Sequence, residues 1–105
     1  IVQGLGQAMG EHAIFEEDSG QLINGSYMDY HMPRADEFPH LNLDFNEEAE
    51  CTTNMLGAKG CGEAGTVAST TAYVNAVYDA LSEYNFKELD MPITPMKVWK
   101  IINNG

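Results

Sequence analysis

The chain has 105 residues, with sixteen Asp and Glu against five Lys and Arg, and a formal net charge of −11. That length suits one small domain, and the acidity argues against nucleic-acid or anionic-membrane partners, which require basic patches. With 44% hydrophobic and 20% charged residues, the composition is that of a folded chain rather than a disordered one.

Cys51 and Cys61 are the two cysteines. They are too few for a disulfide scaffold, and neither has the spacing of a zinc site. They read as free thiols in a reducing, cytoplasmic compartment. No stretch has the length of a membrane span, and no signal peptide is visible. The chain opens Ile1-Val2-Gln3-Gly4, without Met and as if inside a helix, which reads as a piece of something longer or processed.

Val2, Leu5, Met9 and Ala13 recur at three- and four-residue steps, so a helix is expected over residues 1 to 16. Gly4, Gly6 and Gly10 interrupt it, which suggests close approach by a neighbouring segment or a ligand. Asp18-Ser19-Gly20 reads as a turn, and a short strand pair is expected around Gln21 to Tyr30. Residues 31 to 35 read as loop because Pro33 breaks pairing. Leu41, Leu43 and Phe45 alternate with Asn42, Asp44 and Asn46, the pattern of a half-buried strand.

Residues 51 to 62 are irregular and glycine-rich. Ala64, Ala68, Ala72, Ala76 and Ala80 then fall on a strict four-residue repeat, which predicts a helix with a narrow, smooth packing face. Val67, Thr71, Val74, Tyr78 and Leu81 would form the larger face beside it. Thr94-Pro95 reads as the start of a last helix, with Thr94 as cap. Val98, Ile101 and Ile102 supply its apolar side, and Asn103-Asn104-Gly105 ends it. The expected fold is therefore α+β, one domain over residues 1–105: a helix, short antiparallel strands, the alanine-striped helix and a short final helix.

The segment "GAKGCGEAG", residues 57 to 65, holds four glycines around one carboxylate, Glu63. Gly57, Gly60 and Gly62 open the backbone to a ligand, and the following helix points its positive end at the loop. Lys59 adds a charge of the same sign. The loop is anion-friendly but is not a P-loop, since no Gly-Lys-Ser/Thr run closes it. Spacing alone favours a dipole-stabilised Glu63 over a general base. By the same standard Gln3 and Gln7, one turn apart, read as solvent-facing amides. His12, His31 and His40 are scattered, and no nucleophile–base set emerges.

Five ordered blocks change that weighting: "VQGLGQAMGE", "GQLINGSYMDYHMPRADEFP", "NMLGAKGCGEAG", "NAVYDAL" and "PITPMKVWKII". The chain resembles the C-terminal end of the molybdenum-binding large subunit of the xanthine dehydrogenase/aldehyde oxidase family. The similarity runs through nearly the whole chain, and Lys59 to Glu63 together with Gln3-Gly4 carry it most specifically. The resemblance implies hydroxylation of aldehydes or N-heterocycles with water-derived oxygen. One class in the family oxidises carbon monoxide. Glu63 matches the glutamate of the family's Gly-x-Gly-Glu motif, implying a base that takes a proton from metal-bound hydroxide. Gln3, Gly4, Gly60, Cys61 and Gly62 would contact molybdopterin, with the metal held by the cofactor rather than by this segment's side chains. The cofactor is often the cytosine dinucleotide.

The implied partners are the remainder of the large subunit, a small-molecule substrate, and iron–sulfur and FAD modules on other domains or subunits. The segment alone would be inactive. Cys61 departs from the family, where a plain apolar or small residue is more usual, and is read as a packing substitute. Two other readings stand beside this one. In the first, the chain is a non-enzymatic docking module whose glycine segment merely turns into the striped helix. In the second, it is a small anion- or nucleotide-binding domain.

Overall fold

The computed structural model describes residues 1–104; Gly105, expected as part of the terminal stop, lies outside the described residues. Three helices carry the fold: α1 (Val2–Met9), α2 (Ala64–Ala80) and α3 (Pro95–Asn104). A single 3-10 turn, Ala35–Glu37, lies between α1 and α2. The remaining described residues are turns and extended chain.

The expected α+β class is not what forms. Among the described residues no strand is present; the only pairing is an isolated antiparallel bridge, Phe15 with Leu22. It flanks the expected turn, where Gly20 has φ +68° and its N–H donates to Glu16 O at 2.9 Å. The pairing stops at Ile23, whose N–H donates to Ile14 O. Asn24 is buried and takes over: its Oδ1 accepts from Ile14 N–H at 2.8 Å, and its Nδ2 donates to His12 O at 2.5 Å. The side chain thus occupies backbone groups a ladder would need. Ser26 then turns the chain again, its carbonyl accepting from Asp29 and Tyr30 N–H.

Leu41, Leu43 and Phe45 alternate as a strand should, yet form none. No neighbouring strand supplies their backbone hydrogen bonds, and Leu43 and Phe45 remain 66% and 72% exposed. Alternation describes a face that wants covering, and among the described residues only Leu41 is partly covered. The first helix also stops early, at Met9 rather than residue 16. Gly10 and Glu11 both donate to Gly6 O, closing its last turn.

α2 spans the full alanine repeat, but the alanine face is not the one that packs, and only Val74 and Leu81 of the expected larger face are covered. Ala64, Ala68, Ala72, Ala76 and Ala80 are all exposed, and Val67 is 82% exposed. The packed side is one residue round the helix: Gly65, Ser69, Tyr73 and Val77, with Thr66, Thr70 and Val74. Its N-terminal half meets α1. Its C-terminal half meets the core, where Leu81, Leu89 and Ile93 are buried among Tyr73, Val74, Val77, Phe86, Val98 and Ile101. Tyr78 leans on Phe86 with ring centroids 5.3 Å apart, and its hydroxyl accepts from Leu89 N–H. α3 begins as expected, with Lys97 N–H donating to Thr94 Oγ1 at 3.4 Å.

α1 crosses α2 at very short range because glycines meet there. A Cβ on Gly4 would overlap Ser69 Oγ and press on Thr70 Oγ1 and Thr66 O, and one on Gly65 would meet Ile1. Pro33 and His31 fill the space beside Gly6 and Gly10 on the other side of α1. Ile93 N–H donates to Ala8 O at 2.6 Å, tying α1 to the core segment.

Gly4→Ala is therefore expected to lower the thermal midpoint. Overpacking costs about 1–3 kcal/mol, against a helix-propensity gain of about 1 kcal/mol, so a fall of about 4–8 °C is expected. Gly60→Ala, where an added Cβ meets nothing within 4 Å, is expected to leave it unchanged. Thermal unfolding followed by circular dichroism measures both.

Candidate functional site

Glu63 is the N-cap residue of α2, and its side chain makes no capping hydrogen bond. The carboxylate instead turns across to α1, where Gln3 Nε2 donates to Glu63 Oε1 at 3.1 Å. The two residues are sixty positions apart and both exposed. A side-chain cap is therefore absent, and the hydrogen bond that the carboxylate makes is the one to Gln3.

The crossing that joins them is hydrogen-bonded as well as close. Ser69 Oγ donates to Ile1 O at 3.1 Å, and Thr70 Oγ1 donates to Gly4 O at 3.0 Å. Gly4 is thus buried against α2, beneath the Gln3–Glu63 pair. Ser69, Thr70 and Gly65 were not singled out from the sequence. The available signal was a pair of glycines on two helices with hydroxyls one turn beyond, the composition of a close helix contact.

Gly60, Cys61 and Gly62 form the exposed approach to Glu63. Ala64 N–H donates to Cys61 O, and Thr66 N–H to Glu63 O, which settles the loop onto the first turn of α2. A Cβ at Gly60 or Gly62 would meet nothing within 4 Å, and neither has a positive φ. Gly57, with φ +63°, does need to be glycine. The space beside Gly60 and Gly62 is open, so no contact within the described residues requires glycine there. Lys59 is the single Lys or Arg between Arg34 and Lys87 and lies in this loop.

Lys59, Gly60 and Cys61 also line an open cavity of about 720 Å³ with Phe45, Glu50 and Cys51. Its wall is built by Asn54. The Asn54 Oδ1 accepts from Leu56 and Ala58 N–H, and its Nδ2 donates to Ala58 O and to Cys51 Sγ. Both cysteines are free thiols. The Thr53 hydroxyl, 3.1 Å from Cys51 Sγ, lowers the Cys51 pKa below the ordinary thiol value, with backbone hydrogen bonds adding to it. Among the described residues no group of three or more His, Cys, Asp or Glu is placed to hold a metal ion. No helix among them is long and apolar enough to cross a membrane.

Since the thiolate is the reactive form, alkylation of Cys51 is expected to rise with pH at a lower midpoint than for an ordinary thiol. Thr53→Val is expected to move that midpoint upward. Iodoacetamide rates across pH, read by peptide mass spectrometry, measure it.

Comparison with known proteins identifies relatives of the chain. The family profile described as "Molybdopterin cofactor-binding domain" matches residues 1–39, the part that contains Gln3 and Gly4. The 6-hydroxypseudooxynicotine dehydrogenase complex subunit gamma of Paenarthrobacter nicotinovorans is 39% identical over 98 residues, 93% of this chain. The carbon monoxide dehydrogenase large chain of Hydrogenophaga pseudoflava is 35% identical over 100 residues, 95% of this chain. The aldehyde oxidoreductase molybdenum-binding subunit PaoC of Escherichia coli K12 is 28% identical over 94 residues, 90% of it. The chain spans 12% of the length of each of these relatives. No solved structure gives a significant match. The chain belongs to the molybdenum-binding large subunits of the xanthine dehydrogenase/aldehyde oxidase family, of which it matches a segment.

Proposed function

We propose that this chain forms one wall of a molybdopterin pocket in a molybdenum-dependent hydroxylase of aldehydes or N-heterocycles, with Glu63 as the base. The observation that carries this reading is the Gln3–Glu63 hydrogen bond. It joins the two most specific family segments at an exposed edge, beside two glycines that face open space. The relatives' names, spanning a carbon monoxide dehydrogenase, a nicotine 6-hydroxylase and an aldehyde oxidoreductase, support the reaction class and leave the substrate open within it.

The chain's own residues divide the work. Gln3 holds Glu63 Oε1, leaving Oε2 as the atom to take a proton from the water-derived nucleophile. Gln3 Oε1 stays as an acceptor for the pterin's N–H groups. Gly60, Cys61 and Gly62 let backbone approach the cofactor, and Lys59 offsets its negative charge. When bound, the molybdenum cofactor supplies the centre that activates the oxygen and accepts the electron pair. The cofactor's cytosine dinucleotide form, iron–sulfur and FAD modules on other domains or subunits, and a cytoplasmic setting complete the proposal.

The docking-module reading draws on a different observation, the exposed alanine stripe of α2. The two readings converge if the remainder of the large subunit covers that stripe, so the stripe does not oppose the enzyme.

In the complete enzyme, Glu63→Gln is expected to abolish turnover while molybdenum content is retained. Activity with an artificial acceptor, measured beside metal analysis, tests this, and near-normal turnover would remove the base assignment. The 105-residue chain alone is expected to show no turnover of an aldehyde or a purine in the same assay.

A further inference from the structure

Glycines let α1 lie close to α2, but they supply no shape that fixes where it lies. Gly4 and Gly65 present smooth backbone to their partners. Two side-chain hydroxyls supply the missing register. Ile1 O accepts from Leu5 N–H and also from Ser69 Oγ, and Gly4 O accepts from Thr70 Oγ1. Ile1 and Gly4 bracket Gln3. Thr70 stands seven residues after Glu63, two turns along the same face of α2 and about 10 Å away. The hydroxyls therefore hold the first turn of α1 from below while the Gln3 amide reaches the carboxylate at its end. A shift of half an ångström along the line of the contact lengthens it from 3.1 Å to about 3.6 Å, beyond hydrogen-bond range.

We propose that Ser69 and Thr70 are positioning residues for Glu63: their hydroxyls set the register of α1 on α2 and so keep the Gln3 amide on the carboxylate. The effect on turnover rests on Glu63 serving as the base; the effect on geometry does not. The Ser69 and Thr70 hydroxyls are both directed to the α1 backbone. They act through the backbone on either side of Gln3.

The test uses the complete molybdenum-loaded enzyme and four variants: Ser69→Ala, Thr70→Val, the two combined, and Thr70→Ser. Valine keeps the bulk of threonine without its donor, and serine keeps the donor. In the double variant a crystal structure is expected to show Gln3 Nε2 more than 3.5 Å from Glu63 Oε1. Its kcat is expected to fall by about tenfold with KM changed by less than about twofold, the signature of a misplaced reacting group. Thr70→Ser is expected to retain both the contact and kcat. An intact contact in the double variant, or equal loss in Thr70→Ser and Thr70→Val, overturns the proposal. An opened contact with kcat unchanged upholds the clamp and counts against Glu63 as the base. If the double variant does not fold, the two single variants, each keeping one hydroxyl, are expected to show the same changes in part. An intact contact in both of them overturns the proposal.

Discussion

The structure depends on how closely α1 can lie on α2. Two helices normally pack with axes 8–10 Å apart, held there by their side chains. At Gly4 and Gly65 there is no side chain, and the helices close until Ser69 and Thr70 reach the backbone of α1. Without that approach Gln3 would be too far from Glu63 to hydrogen-bond. The pairing of two residues sixty positions apart is thus a consequence of two missing Cβ atoms.

What was legible in the sequence follows from the range of the interaction involved. α2 and the start of α3 depend on local chemistry, alanine propensity in one and a Thr-Pro start in the other, and both appear where expected. The turn at Asp18-Ser19-Gly20 is equally local. The strands failed because a strand is a relation between two segments. Leu41 to Phe45 has the right alternation and no partner, and residues 24 to 30 spend their hydrogen bonds on Asn24 and Ser26. The alanine stripe failed for a related reason. A repeat says that a face is smooth, not what lies against it.

The thin core bears on the same point. Ala8, Leu81, Leu89, Pro92 and Ile93 are the buried apolar side chains among the described residues. The radius of gyration is 18.1 Å, where a compact body of this length would have about 13 Å. Phe45, Met55, Leu56 and Val67 lie on the surface near the glycine loop, and the alanine face of α2 is open beside them. Such an arrangement suits a chain whose apolar surface is completed by more protein. The reading as one segment of a large subunit supplies that protein, and the 12% share of its relatives' length agrees with it.

The glycines themselves separate into kinds that sequence alone cannot tell apart. Gly4, Gly6, Gly10 and Gly65 are crowded by their own chain, and a Cβ on any of them would strike a neighbour. Gly20 and Gly57 are required by positive φ. Gly60 and Gly62 have neither reason: their backbone is ordinary and the space beside them is open. Under the proposed function these two, flanking Cys61 and leading straight into Glu63, admit the close passage of a bound group. The upstream glycines serve the same end indirectly, by bringing Gln3 to the carboxylate. One set of glycines makes the frame and the other leaves the opening, and Glu63 stands where the two meet.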